Sequence, residues 1–185
     1  MNSIKILIIG DKNTGKTALV EKIVKNTFSI ANHIPTFGVN FSQKIINEKN
    51  ENEIKKKMKN KMKNKKTYKL EFWDCSGSEE YIYFINMLYP EVNYILLCFD
   101  VSEKKSYESL SLFWLPFLKE NKVNARIIII GNKSDLQNDY SIQNTDIITS
   151  QYDLSLNIYP TIFLFSAKTD TEKKYTEFVD KLINN

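Results

Sequence analysis

Gly10-Asp11-Lys12-Asn13-Thr14-Gly15-Lys16-Thr17 fits the pattern G-x-x-x-x-G-K-[ST] and joins two segments of different periodicity. Before it, residues 4–9 are apolar at every position but Lys5, the pattern of a buried strand. After it, residues 16–25 set Leu19 with Ile23, and Val20 with Val24, at helical spacing. A chain passing from buried strand to helix through this octapeptide must curl its backbone, and Gly10 and Gly15 permit the curl without side-chain clash. Successive N–H groups then face inward at a helix start, which makes a cradle for phosphate oxygens. Asp11, Lys12, Asn13, Thr14 and Gly15 would form the cradle, Lys16 would bring charge to the β and γ phosphates, and the Thr17 hydroxyl would ligate Mg²⁺. The loop alone does not choose between ATP and GTP, and an ordinary strand–turn–helix can carry the same letters.

The rest of the chain repeats the alternation. Residues 38–46 and 67–73 alternate polar with apolar and read as strands, and 94–100, 126–131 and 161–165 read as further strands. Helices fit 79–88, 105–120, about 146–156, and 171–183, with Pro116 expected to kink or break the second. Strands separated by helices predict an α/β fold, a mostly parallel sheet with helices on both faces. Ligands of such sheets bind beyond the carboxyl ends of the strands. Gly10, Asp74, Asp100, Gly131 and Ser166 all fall at or just past strand ends.

Two of those ends carry base-reading chemistry. Residues 127–130 run into Gly131-Asn132-Lys133-Ser134-Asp135. A carboxylate at Asp135 can accept from guanine N1–H and N2–H₂, while adenine offers no donor there and would leave it unpaired. The Lys133 stem can lie over a purine ring, and Asn132 can brace the loops. Downstream, Phe165-Ser166-Ala167-Lys168 offers the Ala167 N–H to guanine O6 and Lys168 to the other ring face. Read alone, either tetrapeptide is a polar turn; the phosphate loop upstream gives them a common purpose.

With these motifs the chain resembles the small GTPases of the Ras superfamily over residues 4–183, apart from 47–66. The resemblance implies a P-loop NTPase fold of six strands, one of them antiparallel at an edge, and a cycle between GTP and GDP with Mg²⁺. Phe28 falls where the family sets an aromatic ring against guanine, although a core Phe at a helix end reads the same. Ile34-Pro35-Thr36-Phe37-Gly38-Val39-Asn40-Phe41 is similar to the first switch, closest to the Rab form, with Thr36 on Mg²⁺ and sensing the γ-phosphate. Trp73-Asp74-Cys75-Ser76-Gly77-Ser78-Glu79 is similar to the second, with Asp74 in the Mg²⁺ shell and the Gly77 N–H on the γ-phosphate. Ser78 stands where most members have the Gln that orients the attacking water. Its side chain is two carbons shorter, so the expectation at this altered catalytic position is slow hydrolysis and a long-lived GTP state.

Arg126, the one arginine, begins a strand away from the motifs, so no arginine finger is expected in cis and a partner would supply it. Lys12 replaces the Gly or Ser usual in the family; it either points to solvent or crowds an incoming finger. His33, the one histidine, reads as a solvated loop residue.

Charge and termini bound the partners. The net +4 arises in residues 47–66, which hold nine Lys and three Glu; the remaining 17 basic and 19 acidic residues sum to −2. That segment, between the two strands of an expected hairpin, reads as a low-complexity Lys/Asn-rich extension. Ile54, Met58 and Met62 at i, i+4, i+8 leave open a basic helix in weak contact with an anionic membrane. No aromatics are interleaved, so nucleic acid is not an expected partner. The chain opens directly into a strand-like run and closes on Leu182-Ile183-Asn184-Asn185 without cysteine. The expectation is therefore a single 1–185 domain, cytoplasmic and monomeric, without lipid anchor. It would meet membranes through a partner, and effector, exchange factor and activating protein complete the implied set.

Overall fold

The structure, a computed structural model, describes residues 2–29, 35–47, 66–136, 156–159 and 161–184. Strand β1 (Asn2–Ile9) leads through the glycine loop into helix α1 (Lys16–Lys25). A hairpin of β2 (Val39–Asn47) and β3 (Thr67–Cys75) follows. Then come α2 (Ile82–Leu88), β4 (Tyr94–Asp100), a long composite helix, β5 (Arg126–Asn132), β6 (Phe163–Leu164) and a carboxyl-terminal helix, Glu172–Asn184. The sheet order is β2-β3-β1-β4-β5-β6, with only β2 antiparallel to its neighbour. This is the P-loop small GTPase fold.

Strand periodicity divides the core. Ile6, Ile8, Leu96, Cys98, Ile128 and Ile130 face α1 and the carboxyl-terminal helix, where Leu19, Ile23, Phe178 and Leu182 cover them. Leu7, Ile9, Ile95, Leu97, Ile127 and Ile129 face the other way, onto Ile85, Leu110, Trp114 and Leu118. Both faces of the central strands are buried, so they read as unbroken apolar runs. Each fully buried Ile or Leu contributes roughly 1.5–3 kcal/mol of transfer free energy.

The composite helix starts as α3 (Lys104–Ser109), widens into a π turn over Leu110–Trp114, and resumes as α4 (Leu115–Glu120). Pro116 explains the widening. It has no N–H to close an α turn onto Leu112, and its ring would press on that carbonyl. The expected kink or break is thus a change of winding, in which the Leu115 N–H reaches the Leu110 carbonyl, an i→i+5 bond.

Other boundaries also moved. The 79–88 helix begins as a 3₁₀ turn, Glu79–Tyr81, before α2, and ends in another, Tyr89–Glu91. The last strand pairs with β5 only through Phe163 and Leu164, with a separate bridge from Ile158 to Ile127. The expected helix at 146–156 lies outside the described residues except for Leu156, as do His33 and residues 48–65.

Candidate functional site

A cleft of about 900 Å³ opens at the carboxyl edge of the sheet, a volume suited to a nucleotide-sized ligand. Register builds its floor: Ile8 pairs with Asp74, Asp100 with Asn132, and Gly131 with Leu164. Side chains just beyond those pairs converge on one edge, although they are far apart in sequence.

The phosphate loop forms one end. Gly10 has φ +136, and a Cβ there would stand 2.0 Å from the Cys98 carbonyl oxygen. Gly15 has φ +82, and its Cβ would meet Asn132 Nδ2 at 2.4 Å. Both positions therefore exclude any side chain. Lys16 Nζ donates to the carbonyls of Gly10 (2.9 Å) and Asp11 (2.7 Å). Burial pushes its pKa below the usual ammonium range, against the pull of Asp74 and Asp11. A buried cation of this kind gains stability when an anion arrives. Thr14 is buried beneath the loop, its hydroxyl on the Asp11 carbonyl at 3.0 Å, while Lys12 and Asn13 stand exposed at the cleft rim. The Asp11 carboxylate is turned away: it accepts from Ser109 Oγ (2.6 Å) and Trp114 Nε1 (2.7 Å). The residue's carbonyl stays in the loop, where it receives Lys16 and Thr14.

Beside the loop, Thr17 Oγ1 donates to Asp74 Oδ2 at 2.6 Å and lies 2.9 Å from Thr36 Oγ1. The other Asp74 oxygen, Oδ1, is buried without a hydrogen-bond partner among the described residues. Burial raises the pKa of this carboxyl, with Thr17 and Lys16 opposing. Two hydroxyls and a carboxylate oxygen at one point, next to an orphaned oxygen, fit a hard cation such as Mg²⁺. Among the described residues no group of three or more His, Cys, Asp or Glu could hold a metal. A cation here would therefore complete its shell with phosphate and water, as Mg²⁺ does.

At the other end, Asn132 Nδ2 donates to the carbonyls of Thr14 (3.0 Å) and Gly15 (3.1 Å), tying β5 to the phosphate loop. Lys133, at φ +59, sends its ammonium to Asp100 Oδ2 at 2.6 Å. Burial alone would raise the Asp100 pKa; bonds from Lys133 and Ser102 outweigh it and hold the carboxyl low. Asp135 Oδ1 accepts from Ser166 Oγ at 2.5 Å, and the Ser134 N–H bonds the Phe165 carbonyl at 3.0 Å. Ser166 Oγ also takes the Thr169 N–H at 3.0 Å, so the same hydroxyl that donates to Asp135 is itself held from behind. Ala167, Lys168 and Phe28 line the cleft around Asp135.

This arrangement of a glycine loop, a Thr–Asp–Thr oxygen cluster and a carboxylate braced by Ser166 accompanies a match of the Ras family model to residues 5–183. The chain belongs to the Ras family. Among relatives of this Ras-family small GTPase, the Ras-related protein RabV of Dictyostelium discoideum is 32% identical over 147 residues, covering 79% of the chain and 56% of RabV. GTP-binding protein RHO5 of Saccharomyces cerevisiae is 30% identical over 169 residues, covering 77% and 50%. Rho-related GTP-binding protein RhoE of Homo sapiens is 31% identical over 137 residues, covering 74% and 49%. The chain spans about half the length of these curated relatives. Rab and Rho names stand at nearly equal identity, so membership is fixed at the level of the family.

The second-switch segment of this Ras-family chain lies against the phosphate loop. A Cβ on Gly77 would fall 2.4 Å from the Lys12 nitrogen and 2.5 Å from the Asp11 carbonyl carbon. Packing this close leaves room at position 77 for glycine alone. Ser78 lines the cleft, with its N–H on Ser76 Oγ at 3.3 Å. Arg126 sits at the opposite sheet edge, its guanidinium 4.9 Å over the Tyr159 ring. Sequence reasoning missed Asp100, Ser109 and Trp114 as partners of site residues. Asp100 carried a signal, since it had been placed at a strand end; the other two carried none, lying on a helix about a hundred positions from the loop they touch.

Proposed function

We propose that this Ras-family protein is a guanine-nucleotide switch, Rab-like in its first switch, that binds GTP and GDP with Mg²⁺ and hydrolyses GTP slowly. The observation that carries the reading is the braced base side: Asp135 held by Ser166, and Asn132 bonded to the loop that would cradle the phosphates. With Asp135 fixed, a purine lacking the guanine donors leaves a carboxylate unpaired, which is the source of selectivity. Lys133 is drawn to Asp100, which stretches its stem along the cleft where a purine would lie. Ala167, Lys168 and Phe28 would close around the base. At the other end the backbone of 11–15 and the Lys16 ammonium would hold the β and γ phosphates, with Gly77 offering its N–H to the last of them. Thr17, Thr36 and Asp74 would hold Mg²⁺, which supplies charge neutralisation between the phosphate groups.

Slow turnover follows from Ser78, too short to position a water as the usual Gln does. Arg126 lies far from the cleft, so acceleration would need a cation from an activating protein. Lys12, exposed on the rim, stands where such a cation would enter.

Two measurements test this. Chromatography of nucleotide released from the purified protein should yield GDP or GTP; ADP or ATP would overturn the reading. In single-turnover hydrolysis, Ser78→Gln should raise the rate about tenfold or more; an unchanged rate removes Ser78 as the cause. Ser78 also favours a second reading, a GTP-binding subunit of a complex that does not turn over, and a wild-type chain that releases no phosphate over many hours supports that alternative. In either case the protein would act in trafficking or signalling, with effector and exchange factor binding the switches. Residues 47–66 would offer a weak contact to anionic membranes.

A further inference from the structure

Asp11 is the most connected residue of the phosphate loop. Its carbonyl receives Lys16 Nζ at 2.7 Å and Thr14 Oγ1 at 3.0 Å. Its peptide is the surface on which Gly77 rests. Its carboxylate leaves the loop and takes Ser109 Oγ at 2.6 Å and Trp114 Nε1 at 2.7 Å, across 98 and 103 residues of sequence. Trp114 is 4% exposed, so its indole is held within the core as it donates to Asp11. Hydrogen bonds to a carboxylate are among the stronger contacts in proteins, and here the two donors are the buried Trp114 and the half-buried Ser109.

The π turn makes the pair possible. Residues five apart on an α-helix, at 3.6 residues per turn, lie roughly 140° apart and cannot grip one carboxylate. Widening over Leu110–Trp114 brings Ser109 and Trp114 round to neighbouring turns on one face. The same helix reaches the base side: Ser106 Oγ accepts from the Asp100 N–H at 2.9 Å and donates to the Asp100 carbonyl at 3.0 Å. Asp100 in turn holds Lys133. One helix thus grips both ends of the cleft.

Resting on the nucleotide reading above, we infer that Asp11 is a positioning residue for nucleotide retention, clamped by Ser109 and Trp114 of the π-wound helix so that Lys16 and Gly77 stand where phosphates bind. The clamp makes the helix a partner in nucleotide release: loosening the Asp11 carboxylate frees the carbonyl that orients Lys16. Trp114 is also placed to report loop movement in its emission.

The test is release of fluorescent GDP from the full chain by stopped flow, with thermal midpoints measured in parallel. Trp114→Phe keeps the ring and removes the donor, and should speed release about tenfold, with Asp11→Ala faster still. Asp11→Asn retains an oxygen for Trp114 and an amide for Ser109, and should return release close to wild type. Leu110→Ala, a buried cavity in the same helix, should lower the thermal midpoint without matching that acceleration. Equal acceleration in Leu110→Ala, or unchanged release in Asp11→Ala and Trp114→Phe, overturns the clamp. Wild-type protein that binds no GDP overturns the nucleotide reading itself, and the two failures are told apart by that first titration. A second readout uses a Trp73→Phe background, where the remaining indole emission should shift when GDP is stripped; no shift counts against the clamp.

Discussion

On the side of the cleft proposed to take the base, Asn132, Lys133 and Asp135 stand at or just beyond the end of β5, and each is held by another element: Asn132 by the loop, Lys133 by Asp100, Asp135 by Ser166. On the switch-facing side, Thr36 and Gly77 belong to connecting segments. Among the described residues Thr36 meets Thr17 through its hydroxyl, and its neighbour Phe37 is 72% exposed. The first side is fixed by the strands behind it. The second is an arrangement of short contacts that a cation and a phosphate would replace with better ones. A device that must keep its ligand while changing shape needs both, a fixed grip on the part that never changes and a loose one on the part that does.

Variants on the two sides should therefore fail differently. The largest effect is expected from Asp135→Asn, which puts a donor against the guanine donors: GDP and GTP affinities should both fall ~100-fold or more by fluorescence titration. If GTP alone weakened, the base side would not be the common grip. Gly77→Ala comes next, since its Cβ would overlap the Lys12 and Asp11 backbone. Titration should show GTP weakened about tenfold and GDP much less, with the second switch pushed off the loop. Asn132→Ala leaves the Thr14 and Gly15 carbonyls without their donor and should cost about 1–3 kcal/mol in chemical denaturation, together with equal weakening of both nucleotides. The smallest effect belongs to Thr36→Ala, a few-fold loss for GTP in Mg²⁺ and none for GDP. Equal losses for both nucleotides there would erase the contrast between the two sides.

The strands were legible because burial on both faces leaves no choice of letters: residues 94–100 and 126–131 are apolar runs, and their ends moved by a residue at most. The glycine loop was legible for a related reason, since a Cβ at Gly10 or Gly15 strikes backbone or Asn132. The π turn was not. Pro116 signals trouble in a helix, but a kink, a break and a change of winding begin from the same missing N–H. The last strand shrank to Phe163–Leu164, the two positions that pair with Ile130 and Gly131 of β5. Site residues on strand ends could be named in advance because the sheet places them. Ser109 and Trp114 could not, because the register of a π turn decides which helix face meets Asp11.

The hairpin of β2 and β3 carries a consequence for the chain as a frame. Val39 pairs with Cys75 at the switch end, and Asn47 with Thr67 at the other, where the Thr67 hydroxyl donates to Asn47 at 3.0 Å. Eight residue steps of antiparallel strand separate the two ends, about 27 Å. The hairpin is closed at this end by a single pair, well away from the cleft. Doubling the length of a flexible connection costs only about 0.6 kcal/mol in closure entropy. The far end of this hairpin is therefore a port, a place where sequence can be added, shortened or exchanged for a label or a tether while the nucleotide edge of the sheet keeps its geometry.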